Sequence, residues 1–311
     1  MLMAIRARTV QPPDWKEGAP MPPISSVAAK WEIVAICRDR REELGMTGPD
    51  LARAAGVVGT FWSRFENEKK LVKPERFIQV LEALQFPDDK REHLLKLREY
   101  AMGSGWWAAY SKVFSAQHIN EFGLEYGAEE VRTYESLLIP GLLQTETYAR
   151  ALIEADQIGI PAREVNRRIA ARMKRQERLF GDDPLRLVAV VSQAAIEQQF
   201  GGPGVLRDQL QYLARTIREN KATIDFRIVP FTSEKGPILG GCTFHVLEFT
   251  SAQLGPLAWF ESPLEAKMIE DPDKVLDLSR SFEYVQDQAL SPDQSLALID
   301  ESAGRLEVFI E

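Results

Sequence analysis

The chain is poor in the residues that build reactive centres. Its 311 residues include two cysteines, Cys37 and Cys242, and three histidines, His93, His118 and His245. The cysteines are far apart and share no metal or redox spacing, so both are expected to be small core residues in a reducing compartment. No histidine has a second ligand at metal spacing, which argues against a zinc site. Neither H-E-x-x-H, G-x-S-x-G nor a P-loop is present. Gly201-Gly202-Pro203-Gly204 fits a helix stop followed by a helix start better than a phosphate cradle. No catalytic residue, metal or cofactor is therefore expected, and the chain is read as a non-enzyme. No apolar run reaches about 18 residues, so no membrane span is expected. The N-terminus has no apolar h-region, which points to a cytoplasmic location.

A surplus of positive charge is also missing: the net charge is −8. Its distribution matters more than its sum. Between residues 30 and 92, 12 basic and 12 acidic residues cancel, whereas 93–311 carry 23 basic against 32 acidic. A small neutral domain still binds nucleic acid if its basic residues share one face.

Pro12, Pro13, Pro20, Pro22 and Pro23, with no apolar period, mark residues 1–27 as a mobile tail. From 28 to 103 the pattern is that of five short helices. The first carries Trp31, Val34, Ala35, Ile36 and Cys37 and ends at Leu44-Gly45. Thr47-x-x-Asp50 with Pro49 in the first turn reads as a capping box opening the second. Gly56 closes it. Residues 59–67 form the third helix, Pro74 opens the fourth and Pro87 the fifth. Beyond Gly103-Ser104-Gly105 the run to Ala155 looks helical, as do 162–180, 203–220, 273–289 and 292–303. Residues 185–191, 222–231, 242–249 and 257–261 read as strands. The expected fold is mixed: an all-α five-helix helix-turn-helix domain at 28–103, then an α+β domain at 104–311.

The stretch "MTGPDLARAAGVVGTFWSRFENEKKLVKPERFIQVLEAL" resembles the XRE/Cro-type helix-turn-helix family of phage and bacterial repressors. The matching residues are Leu51-Ala52, Gly56-Val57, Ser63-Arg64, Glu66-Asn67 and Leu81/Leu84. The resemblance implies double-stranded DNA as partner, with the third helix in the major groove. Three positions depart from the family: Gly48 where Gln is usual, Val58 where Ser caps, and Gly59 where a polar reader stands. Trp62 falls where the family keeps a buried aliphatic. Thr60, Ser63 and Arg64 remain as base readers, Arg being the commonest specific one. Phe61 either touches a thymine methyl or packs under the N-terminal arm. Arg53, Lys69, Lys70, Lys73 and Arg76 are candidates for phosphate contacts, the alternative for Lys69, Lys70 and Lys73 being a solvated charge run. Gly48 and Gly59 would let backbone N–H groups at helix starts approach phosphate, and Thr47 is a further candidate for DNA contact.

Farther on, "GWW", "YESLLIPGLLQTETYARALI", "RRIAARMKRQERL", "FGGPGVLRDQLQYL" and "FRIVPF" look like the C-terminal domain of the actinobacterial WhiJ-like or antitoxin-like regulators. This resemblance implies transcriptional control, often beside a gene for a small partner protein. Gln193 departs from it, standing where an acidic residue is expected. Helix 163–178 is the most basic stretch of the acidic domain, and Arg167, Arg168, Arg172 and Arg175 are candidates for binding an acidic partner, with auxiliary phosphate contact as a second reading of the helix. The bland alternative is pairing within their own domain. The expected molecule is a homodimeric DNA-binding regulator whose effector is not named by the sequence. The alternative is a protein-interaction module that holds a small partner without reading DNA.

Overall fold

The computed structural model describes residues 23, 25–156, 161–234, 243–262 and 265–307. Five helices come first: α1 (Ser26–Glu43), α2 (Gly48–Ala54), α3 (Gly59–Glu68), α4 (Pro74–Ala83) and α5 (Asp88–Ala101). Their boundaries follow the local signals. Thr47 and Asp50 form a reciprocal capping box at the head of α2. Gly45 and Gly56 follow α1 and α2 with φ of 64° and 62°, a conformation that costs a side chain but not glycine. Leu51, Ala52, Trp62, Phe65, Phe77, Val80, Leu81 and Leu84 close the core of this bundle, and Cys37 is buried among them. Cys242 lies outside the described residues. Tyr100, near the end of α5, is exposed.

α1 serves two cores. Its Ile33, Val34, Ile36 and Cys37 face the bundle. Its Val27 and Trp31 pack with Trp107 and Phe122 in the core of the C-terminal domain. Ser25–Val27 are therefore buried rather than the end of a mobile tail. Ser25 caps α1 and donates its hydroxyl to the carbonyl of Gly123. A Cβ on Gly123 would stand 2.3 Å from the Val27 side chain, so glycine is what lets the two helices meet.

The C-terminal domain contains α6 (Ala116–Gly127), β1 (Glu130–Glu135), α7 (Glu146–Asp156), α8 (Ala162–Gln176), β2 (Arg186–Ser192), a short α9 (Ala194–Glu197) and α10 (Pro203–Glu219). It continues with β3 (Ile224–Val229), β4 (Thr243–Glu248), β5 (Leu257–Glu261), β6 (Ala266–Ile269), α11 (Pro272–Asp287) and α12 (Pro292–Glu307). The strands form one sheet in the order β3-β2-β1-β4-β5-β6. β1, β2 and β3 are parallel, and β4, β5 and β6 are antiparallel. The sheet therefore changes character at the β1–β4 pairing. α11 covers one face, with Val275, Phe282 and Val285 against Tyr134, Val190, Phe244 and Val246. The other helices cover the opposite face. The fold is thus the expected helical domain followed by an α+β domain.

Two strands correct the sequence reading. β1 lies in the stretch expected to be helical, and β6 was not expected. β1 is "EVRTYE", a central strand rich in charge, and its Arg132 and Glu130 find cross-strand partners in the folded sheet. Arg132 pairs with Glu248 of β4, and Glu130 pairs with Arg186 of β2 at 3.0 Å. No helix among the described residues is long and apolar enough to cross a membrane.

Candidate nucleic-acid interface

The third helix presents one polar face. Thr60, Ser63, Arg64 and Asn67 are all exposed, at positions i, i+3, i+4 and i+7. Asn67 joins the three readers named from the sequence; the same spacing from Thr60 is the signal that finds it. Its side-chain amide donates to the Ser63 hydroxyl at 3.2 Å, which fixes both side chains on the outer face. The opposite face of α3 is apolar: Trp62 stacks on Phe65 with ring centroids 4.9 Å apart.

The departures from the usual pattern acquire a physical reason here. A Cβ on Gly48 would lie 2.7 Å from Cδ1 of Trp62. The large indole occupies the space that a side chain at 48 would need, so Gly48 and Trp62 are one arrangement rather than two oddities. Val58 precedes α3, supplies no side-chain cap and is 73% exposed. Gly59 has open space where a Cβ would be. Phe61 is half-buried and packs on the bundle core, 6.2 Å from Phe65. The N-terminal arm lies outside the described residues.

Around this face Arg53, Lys70, Lys73 and Arg76 are exposed. Arg53 pairs with Asp50 at 3.1 Å while remaining 78% exposed. Arg76 donates to the Gly56 carbonyl at 3.3 Å, in the turn between α2 and α3. Thr47 spends its hydroxyl on the cap of α2.

Lys69 does not belong to this set. It is the residue that ends α3, in the left-handed conformation at φ 51°, and is only 8% exposed. Its ammonium donates to the Glu66 carbonyl at 2.7 Å and to both carboxylate oxygens of Glu270, at 2.8 and 2.7 Å. It also sits 4.6 Å from the centre of the Trp31 ring. Burial lowers its pKa, and Glu270 works against that shift. Glu270 follows β6, so the end of the third helix is fastened to the C-terminal domain. Arg38 of α1 reaches the same carboxylate at 3.7 Å. Sequence cannot show this, because Lys69 and Glu270 are 201 residues apart.

The basic helix α8 is also corrected. Arg168 pairs with Glu164 at 2.9 Å and donates to the Val113 carbonyl at 3.0 Å. Arg175 donates to the two oxygens of Glu125 at 2.8 and 2.7 Å and to Glu121 at 3.2 Å. Arg172 turns toward Gln144 at 2.6 Å. These three face their own domain. Arg167 is exposed, and it donates to the Ala109 carbonyl. Gln193 accepts from the Phe231 amide at 2.9 Å, so an amide there holds the turn after β3.

Several charged groups lie between α8, α6 and the sheet. In the buried interior, Glu135 accepts from the Thr243 hydroxyl at 2.7 Å, and burial pushes its pKa up to about 7. The folded chain therefore keeps a proton between about pH 4.5 and 7 that the unfolded chain has lost, and this group's contribution to stability falls as pH rises through that window. Glu135→Gln is expected to gain about 1–3 kcal/mol over the wild type between about pH 5 and pH 8. Urea denaturation at both pH values measures it; a difference independent of pH would show that Glu135 is ionised throughout.

Residues 37–94 match the family described as Helix-turn-helix domain. Residues 122–301, more than half of the chain, match the family described as Domain of unknown function (DUF5753). No curated protein matches the chain, and no solved structure does. With a helix-turn-helix domain ahead of its six-stranded α+β domain, the chain belongs to the DUF5753 family.

Proposed function

We propose that the protein is a cytoplasmic DNA-binding transcription regulator of the XRE/Cro kind rather than an enzyme. The observation that carries this reading is the single polar face of α3, Thr60, Ser63, Arg64 and Asn67, rimmed by exposed Arg53, Lys70, Lys73 and Arg76. α3 enters the major groove, with Arg64 and Asn67 placed for base edges. The rim neutralises phosphates. One helix of this length contacts too few base pairs for useful specificity, so the protein binds paired half-sites as a two-fold dimer. The C-terminal domain senses an effector or, as in the WhiJ-like and antitoxin-like regulators it resembles, holds a small partner protein.

Gel shifts with DNA from the protein's own upstream region test this. Arg64→Ala is expected to cost about 1–3 kcal/mol and to relax sequence preference, whereas Lys70→Ala weakens all sequences alike and flattens the salt dependence by about one unit. Absence of any salt-sensitive, sequence-preferring complex would sink the proposal. A second reading rests on Val58. An apolar side chain 73% exposed at the head of α3 suits a protein surface better than a phosphate backbone. On that reading the bundle holds a small protein, and a stoichiometric partner co-purifies with a chain that has no DNA affinity.

A further inference from the structure

The sheet face under α6 and α8 changes from apolar to polar toward the carboxyl end of β1. Its rows are set by register. Val131, Leu247 and Leu257 form one row, then Thr133, His245 and Trp259 the next. Glu135, Thr243 and Glu261 complete the edge, joined by the Thr243–Glu135 hydrogen bond and the Thr243–Glu261 pairing. The carboxyl end of a strand beside a switch in sheet topology is where open α/β sheets form their ligand crevices.

Most charges here are satisfied internally, and the exceptions are informative. Arg175 is neutralised by Glu125 and Glu121. Glu261 pairs with His118 at 3.4 Å and keeps part of its surface open. Arg172 has no ion pair among the described residues; its one hydrogen bond goes to the neutral Gln144. Glu135 likewise has no cation, only the Thr243 hydroxyl. Arg172 and Glu135 feel each other's charge, yet they do not join. Two wholly buried polar groups lie nearby: the Tyr148 hydroxyl, which reaches the Ile139 backbone and feels both Arg172 and Glu135, and Nε1 of Trp259, which is aimed at Glu261. A core built only for stability does not leave a guanidinium and a buried carboxyl group close yet unjoined.

We propose that Arg172, Glu135 and Glu261 form the two ends of a binding site for a small zwitterion of the α-amino-acid class. Arg172 takes the carboxylate in a paired hydrogen bond. Glu135 and Glu261, on either side of Thr243, take the ammonium. An anion alone would meet these carboxylates unscreened, and a cation alone would meet Arg172. Among the described residues no group could hold a metal ion. Burial lowers the Arg172 pKa to about 10, with the like charge of Arg175 adding to it, so an incoming carboxylate relieves a real cost. Glu135 holds a proton up to about pH 7, so an arriving ammonium displaces it. The site is independent of whether the protein binds DNA.

Calorimetry on the full chain with glycine, L-serine, L-glutamine, L-leucine and L-phenylalanine tests the site, with acetate and methylammonium as single-charge probes. At least one amino acid is expected to bind saturably, at least about tenfold tighter than either single-charge probe. Its heat should vary with the ionisation enthalpy of the buffer at pH 7, reporting a released proton. Glu135→Gln is isosteric and should still fold; it should weaken binding at least about tenfold and abolish the proton release. Arg172→Gln should also weaken it about tenfold or more, while Arg163→Gln, exposed on the same helix, leaves it unchanged. The site is refuted if no amino acid binds below about 10 mM, if acetate binds as well, or if Glu135→Gln binds unchanged.

Discussion

Glu270→Gln is expected to destabilise the folded chain by about 2–4 kcal/mol, because it strands the buried ammonium of Lys69. The asymmetry of the pair sharpens this. Lys69 is 8% exposed, whereas the Glu270 side chain is 30% exposed and keeps Arg38 at 3.7 Å. Lys69→Met, which leaves the better-solvated partner behind, should therefore cost only about 1 kcal/mol. The double variant Lys69→Met/Glu270→Leu should cost less than Glu270→Gln alone, since no charge is then stranded. Urea denaturation of the four proteins decides it: equal losses for the two single variants would show that the pair is not a buried one. The clamp also bears on the proposed function. It fixes the end of α3 against the strand that follows Glu261, so hydrogen exchange in α3 should rise in Glu270→Gln without any DNA present.

Gly48→Gln, which restores the residue usual in the XRE/Cro family, is expected to cost about 1–3 kcal/mol by overpacking against Trp62. A side chain at 48 begins 2.7 Å from the indole, and the indole is wholly enclosed by Phe65 and the bundle core. Trp62→Leu alone should cost about 2–4 kcal/mol through the cavity it leaves. Combined, the two changes should cost less than their sum by about 1–3 kcal/mol, since each makes room for or fills the other. Thermal unfolding with a double-mutant cycle measures the coupling. Strict additivity would mean that the indole moves aside for any side chain at 48. Trp62 contributes a further reason: its Nε1 is buried with no partner among the described residues, a cost that leucine does not carry.

The helical domain was largely legible because its signals are local. Thr47 with Asp50, the glycines at 45 and 56, and the prolines at 49, 74 and 87 each act within one turn of chain. Four of the six strands were legible for a similar reason, being short apolar runs bounded by Gly or Pro. β1 was not, because its inner row, Val131, Thr133 and Glu135, turns from apolar to polar toward the carboxyl end of the strand. Asn67 was within reach of the helical period, seven residues after Thr60. Lys69 was not, and nor was the inward turn of Arg172, since a basic residue beside others looks solvated until its partner is known.

The amino-acid sequence by itself determined the helix-turn-helix plan, the α+β character of the second domain, and the polar face of α3, because backbone capping and side-chain period depend on near neighbours. Only the tertiary structure decided which charges face solvent. Lys69 and Lys70 are adjacent, yet one is fastened to Glu270 and the other is exposed. Arg172 and Arg175 are one turn apart, yet one is neutralised and the other is not. Desolvation and ion pairing depend on groups brought together across the chain, and that distance in sequence is what folding removes.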